Sequence, residues 1–234
     1  MKLIIRELFK FIFFGMYIAG AVVFVVLITS IDIHALGYIP ENSLTERAQE
    51  AVLAVSIVLL LYRVRKEESN GLYLVVGLLL CMLIREWDAF FDNIFHGAWK
   101  FIALPSALFF IYLSLQKGLK AACQHLASFF NTPAYHLLFA GLIIVLVISR
   151  IIGMRFMVHI ISGPHFSQGI KSFLEEGTEL LGYIIIFTSS LSYCLVPEKK
   201  FNILNALTKS LAKSDVKYEK GRKRQISTRQ VILE

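Results

Sequence analysis

Cysteine is scarce in this sequence: Cys81, Cys123 and Cys194 are the only three among 234 residues. They stand far apart in apolar or basic surroundings, which excludes a disulfide framework and a thiolate metal finger. They read as packing residues. Catalytic templates are also missing: there is no Gly-x-Ser-x-Gly, no His-Glu-x-x-His and no phosphate-binding glycine loop. Haem would want axial histidines at matched depths inside helices, and His136, at a helix end, has no mate. Charge itself is absent from Phe11 to Ile31. No small-x-small cleavage site follows that run, which is too long for a signal-peptide core, so a retained transmembrane helix is expected.

What the chain does contain is apolar sequence, 56% of its residues with a mean hydropathy of +0.65. Several runs approach the roughly 20 residues that span a bilayer, and a water-soluble protein of this size would have no core to hide them. The net charge of +7 is gathered in alternate loops and in the C-terminal tail, which is the pattern of topology rather than of nucleic-acid binding. The expected fold is an all-α integral membrane protein: a six-transmembrane-helix bundle with both termini cytoplasmic. Its helices are expected at about 8–31, 46–62, 71–92, 99–115, 134–152 and 170–196. Ser43 with Glu46 reads as a capping box, Asn131-Thr132-Pro133 starts the fifth helix, and Gln116 to Thr132 reads as a short amphipathic segment. The location this implies is a bacterial-type cytoplasmic membrane, with the lipid bilayer as partner and no nucleic acid.

The third expected helix ends in a charged band, Arg85-Glu86-Trp87-Asp88, continuing to Asp92, His96 and Lys100. Its apolar part, Gly71 to Ile84, covers only about 21 Å of a hydrocarbon core of about 30 Å, so the first charges fall inside the membrane. Intramembrane charges are costly and are functional-site hypotheses by default. Counted from the basic end of each helix, Glu50, Asp88, Lys100, Arg150 and Glu179 lie about 20–26 Å deep, in one layer of the outer leaflet. The first helix adds no charge and is expected to face lipid. Lys171, Glu175 and Glu179 form one stripe, with Glu176 beside it, and Glu46 with Glu50 forms another. The expected charged cluster is therefore Glu46, Glu50, Arg85, Glu86, Asp88, Asp92, Lys100, Arg150, Lys171, Glu175, Glu176 and Glu179. An inverted three-plus-three repeat would put the acids of the third and sixth helices at opposite ends, and they are not.

Three functions fit that cluster. It can bind or pass a small cation, proton or polar solute, because a surplus of acids at one depth raises the pKa of one of them. It can hold a divalent metal for a membrane-embedded hydrolase, with Asp88, Asp92, His96, Glu175 and Glu179 as ligands and His159 or His165 completing the set. It can simply lock the bundle of an accessory subunit, since buried charges must be paired. The tail 197–234 carries Phe201, Leu204, Leu207 and Leu211 at helical spacing, so Lys199, Lys200, Lys209 and Lys213 are expected to meet anionic lipid headgroups. From Lys217 onward the sequence reads as disordered.

Overall fold

In the computed structural model, residues 2–40, 43–154, 156 and 168–195 are described, and within them every regular element is a helix. The elements are α1 (Lys2–Leu36), α2 (Leu44–Glu67), a 3-10 turn (Asn70–Leu72), α3 (Tyr73–Glu86), α4 (Asp88–Asp92), α5 (Trp99–Leu115) and α6 (Leu119–Phe130). They continue with α7 (Pro133–Ile143), a π-helical turn (Ile144–Ile148), α8 (Ser149–Ile152) and α9 (Gln168–Leu195). The loop around His159 and His165 and the whole tail from residue 196 lie outside the described residues.

Helix starts follow local chemistry. Ser43, in extended conformation, accepts a hydrogen bond from Glu46 N at 3.2 Å and caps α2. A second cap comes from α1, which runs on through Leu36 instead of ending near Ile31. Asp32 is therefore helical and buried, and its carboxylate accepts from Leu44 N (3.2 Å), Thr45 N (2.8 Å) and Thr45 Oγ1 (2.6 Å). A carboxylate over the orphan N–H groups of a helix start is favoured by the helix dipole. Thr132 caps α7 in the same way, with Pro133 in the first turn.

Two breaks differ from the simplest reading of the apolar runs. The third expected helix, 71–92, divides at Trp87 into α3 and the short α4. Gly118, at φ +90°, turns α5 into α6 through 98°, a backbone state that glycine reaches without steric cost. The amphipathic segment after it is a full helix. Its buried Ala122 and Phe129 face inward, and Ala122 O presses on Gly71, where a side chain would collide.

Leu53 of α2, Val76 and Leu79 of α3, and Tyr183 and Ile186 of α9 are fully buried in one core cluster, and Leu180 of α9 is fully buried in a second, with Val25 of α1. Close approach depends on glycine at two crossings. A Cβ on Gly77 of α3 would lie 2.6 Å from Phe110 Cβ of α5, and one on Gly182 of α9 would lie 2.5 Å from Val145 Cγ2. Small residues at such crossings let helices interlock by van der Waals contact. In contrast, α1, α5, α7 and the π-helical turn expose Phe24, Leu27, Phe101, Leu104, Leu108, Phe139 and Val147. Apolar surface this extensive marks contact with lipid or another chain.

By length and composition three helices can cross a membrane: Phe14–Ala35, Pro133–Ile152 and Gln168–Leu195. The bent pair α5–α6 makes a fourth if it is one span. The other two expected crossings fall short for physical reasons. The first half of α2 carries Glu46, Arg47 and Glu50, and α3 has only 14 residues.

Candidate functional site

Charged side chains from α3, α8 and α9 meet at one end of the helices, and a glutamine of α2 joins them. Arg150 opens the arrangement. The π-helical turn before it adds a residue to one turn, and an α-helix advances about 100° per residue, so the wide turn decides which way Ser149 and Arg150 point. They point at α9. Arg150 Nη1 donates to Glu175 Oε1 at 3.1 Å and Nη2 to Glu179 Oε1 at 2.8 Å. Ser149 Oγ donates to Val145 O at 2.6 Å and leans on Glu179 Oε1 at 3.2 Å. Lys171 Nζ reaches Glu175 Oε2 at 3.0 Å along the same stripe. Glu179 is 2% exposed, whereas Arg150 is 46% exposed, so this ion pair reaches from the protein interior to its surface.

A second group adjoins the first. Glu86 Oε1 accepts from Arg85 Nη2 at 2.8 Å and from Tyr183 Oη at 2.7 Å. Both Arg85 and Glu86 lie close enough for their charges to act on Glu179. Gln49 of α2 donates through Nε2 to Glu176 Oε2 and to Glu176 O, each at 3.1 Å. Four carboxylates (Glu86, Glu175, Glu176, Glu179) thus share three cations (Arg85, Arg150, Lys171) among the described contacts.

The structure brings together only part of the expected cluster. Asp88 is exposed at the start of α4, because the break at Trp87 turns it away from the helix face of Arg85. Asp92 is occupied locally: it accepts from Gly97 N at 2.8 Å and faces His96 Nδ1 at 2.8 Å. The Gly97 amide, then His96 and Lys100, hold its carboxyl below the usual aspartate range. Lys100 lies over the Trp99 ring at 5.8 Å. On α2, Glu46 sits in the capped first turn and Glu50 is half-buried, while Gln49 is the residue that reaches α9. The expected ligands Asp88, Asp92, His96, Glu175 and Glu179 do not converge. Among the described residues, no three His, Cys, Asp or Glu side chains form a group able to hold a metal.

Two features were missed in the sequence. Gln49 carries no charge and was passed over between Glu46 and Glu50, although it is the α2 residue bonded to Glu176. Tyr183 continues the i, i+4 stripe Lys171, Glu175, Glu179, so its spacing was the available signal. A separate group lies toward the other end of α2. Arg63 pairs with Glu67, its guanidinium lies 5.3 Å from the centre of the Tyr193 ring, and Tyr193 Oη donates to Glu67 Oε2 at 3.1 Å. The second helix is expected to stop at about 62, but α2 extends to Glu67 and buries Arg63.

These features define an all-α protein with candidate membrane-spanning helices and a buried, mixed-charge cluster. No protein-family model, curated protein or solved structure matches this chain.

Proposed function

We propose that this is a multi-pass integral membrane protein of a bacterial-type cytoplasmic membrane, in which the cluster around Glu179 binds or passes a small cation or a proton. Six crossings with cytoplasmic termini remain the preferred topology, supported by the placement of Lys and Arg in alternate loops. In that arrangement α2 and α3 span with their charged ends against α9, and the cluster opens to the outer face. The observation that carries the reading is Glu179, buried to 2% exposure and surrounded by Glu176 and Glu86 as well as Arg150 and Arg85. Two facing residues of opposite charge would be sufficient to hold α8 to α9. Extra carboxylates brought to the same place cost desolvation unless something positive joins them.

The full-length protein in vesicles loaded with a pH-sensitive dye is expected to dissipate an imposed proton or cation gradient. Glu179→Gln is expected to abolish that flux. Vesicles that hold every gradient as tightly as empty ones would exclude the passing of ions and leave binding to be tested by titration calorimetry with the same cations. A second reading, that of an accessory subunit held together by its charges, is favoured by Arg150, which bridges Glu175 and Glu179. It predicts that Glu179→Gln changes stability alone. Topology is checked separately. A cysteine at Asn93 is expected to react with an impermeant thiol reagent in intact cells, and one at Lys66 is expected to be protected.

A further inference from the structure

Within this cluster one side chain is half satisfied. Gln49 is 0% exposed, and its Nε2 donates both to Glu176 Oε2 and to Glu176 O at 3.1 Å. Its Oε1 is enclosed and has no hydrogen-bond partner among the described residues. Turning the amide over does not help, since Oε1 would then face two acceptor oxygens of Glu176 and Nε2 would lose both of its bonds. A buried acceptor left unpaired is destabilising, and an enclosed oxygen has no room beside it for a water molecule or a hydrated ion. A hydrogen carried by a neighbouring side chain is the donor that fits an acceptor enclosed in this way.

We infer that Glu176 and Gln49 form a proton site, in which the protonated carboxyl of Glu176 and the amide of Gln49 pair through two reciprocal hydrogen bonds. The inference deepens the functional reading above and rests on it, naming the ligand as a proton and Gln49 as its positioning residue. One bond of the pair is in place, Gln49 Nε2 to Glu176 Oε2. The other forms when a proton taken from outside water adds to Glu176 Oε1, and the new O–H donates to Gln49 Oε1. No heavy atom enters or leaves, and the charge of the cluster rises by one. The charged groups that act on Glu176 are Glu175 on its own helix, Glu86 on α3 and Arg150 on α8. The side chains of Lys171, Glu175 and Arg85 are 26%, 17% and 27% exposed, so the cluster is partly open to water. A metal or sodium ion is disfavoured at this position by the enclosure of Oε1.

The test is infrared difference spectroscopy of the purified full-length protein, which reads the carbonyl stretch of a protonated carboxylic acid. At neutral pH the wild type is expected to show this band, to shift it in heavy water, and to be indifferent to added sodium. Glu176→Gln is expected to lose the band. Gln49→Leu is expected to keep it at a higher frequency, because the acid has lost its amide partner, and this variant serves if Glu176→Gln fails to fold. Absence of the band in the wild type, or its persistence unchanged in both variants, would overturn the inference, as would a band removed only by Glu179→Gln. Vesicle flux separates the two levels. A Glu176 band in a protein whose vesicles hold their gradient keeps the proton site and removes the passing of protons; flux without the band does the reverse.

Discussion

Two buried charged groups among the described residues, one around Glu179 and one around Arg63, differ in how they are built. Arg63 and Glu67 are one turn apart on α2, and a single side chain of α9, Tyr193, joins them through its ring and its hydroxyl. The Glu179 group draws on α3, α8 and α9, takes Gln49 from α2, and holds more acids than bases in its described contacts. A pair set within one helix survives small movements of its neighbours. A group assembled from four elements is sensitive to each of them, and that is the property expected of a site and not of a clasp.

The largest effect that separates the two is on stability. Glu67→Ala removes the carboxylate that Arg63 faces and is expected to cost about 3 kcal/mol, as for a buried ion pair broken from one side. Glu179→Gln is expected to stay within about 1 kcal/mol of wild type or to gain stability, because a crowded site charge is neutralised. Thermal unfolding of the two purified variants in one detergent checks this, and equal losses would erase the distinction.

Steric change comes next. Gly182→Val places a branched side chain against Val145, Ile144 and Gly141 O, and is expected to cost about 2 kcal/mol through overpacking. It also pushes α7 and the π-helical turn from α9, so flux or cation binding is expected to fall although no charge is altered. Unchanged activity with reduced stability would show that the Arg150 contacts do not depend on this crossing.

The smallest effect concerns Asp92, whose carboxyl is held below its usual range by Gly97 N–H and His96. A depressed folded-state pKa contributes stability that is fully present above the ordinary aspartate range and is lost as pH falls through the folded value. Asp92→Asn is expected to flatten the acid side of the stability–pH curve without affecting cation binding. An effect on binding instead would restore Asp92 to the site.

Much of the site was legible because α-helical spacing is a local rule. Lys171, Glu175 and Glu179 had to share a face, and equal depth brought Arg150 to them. Asp88 and Asp92 were misplaced because the same rule was carried across Trp87, where the helix divides. Gln49 stayed invisible because an uncharged side chain leaves no trace in a count of charges.

By itself the sequence determined the all-helical class, the apolar helices, the capped starts at Ser43 and Thr132, and the acid stripe of α9, since each depends on neighbours within about one helical turn. Only the tertiary structure decided which charges meet. The break at Trp87, the π-helical turn before Ser149 and the glycine crossing at Gly182 each rotate or admit a helix, and such rotations follow from packing between segments far apart in the chain.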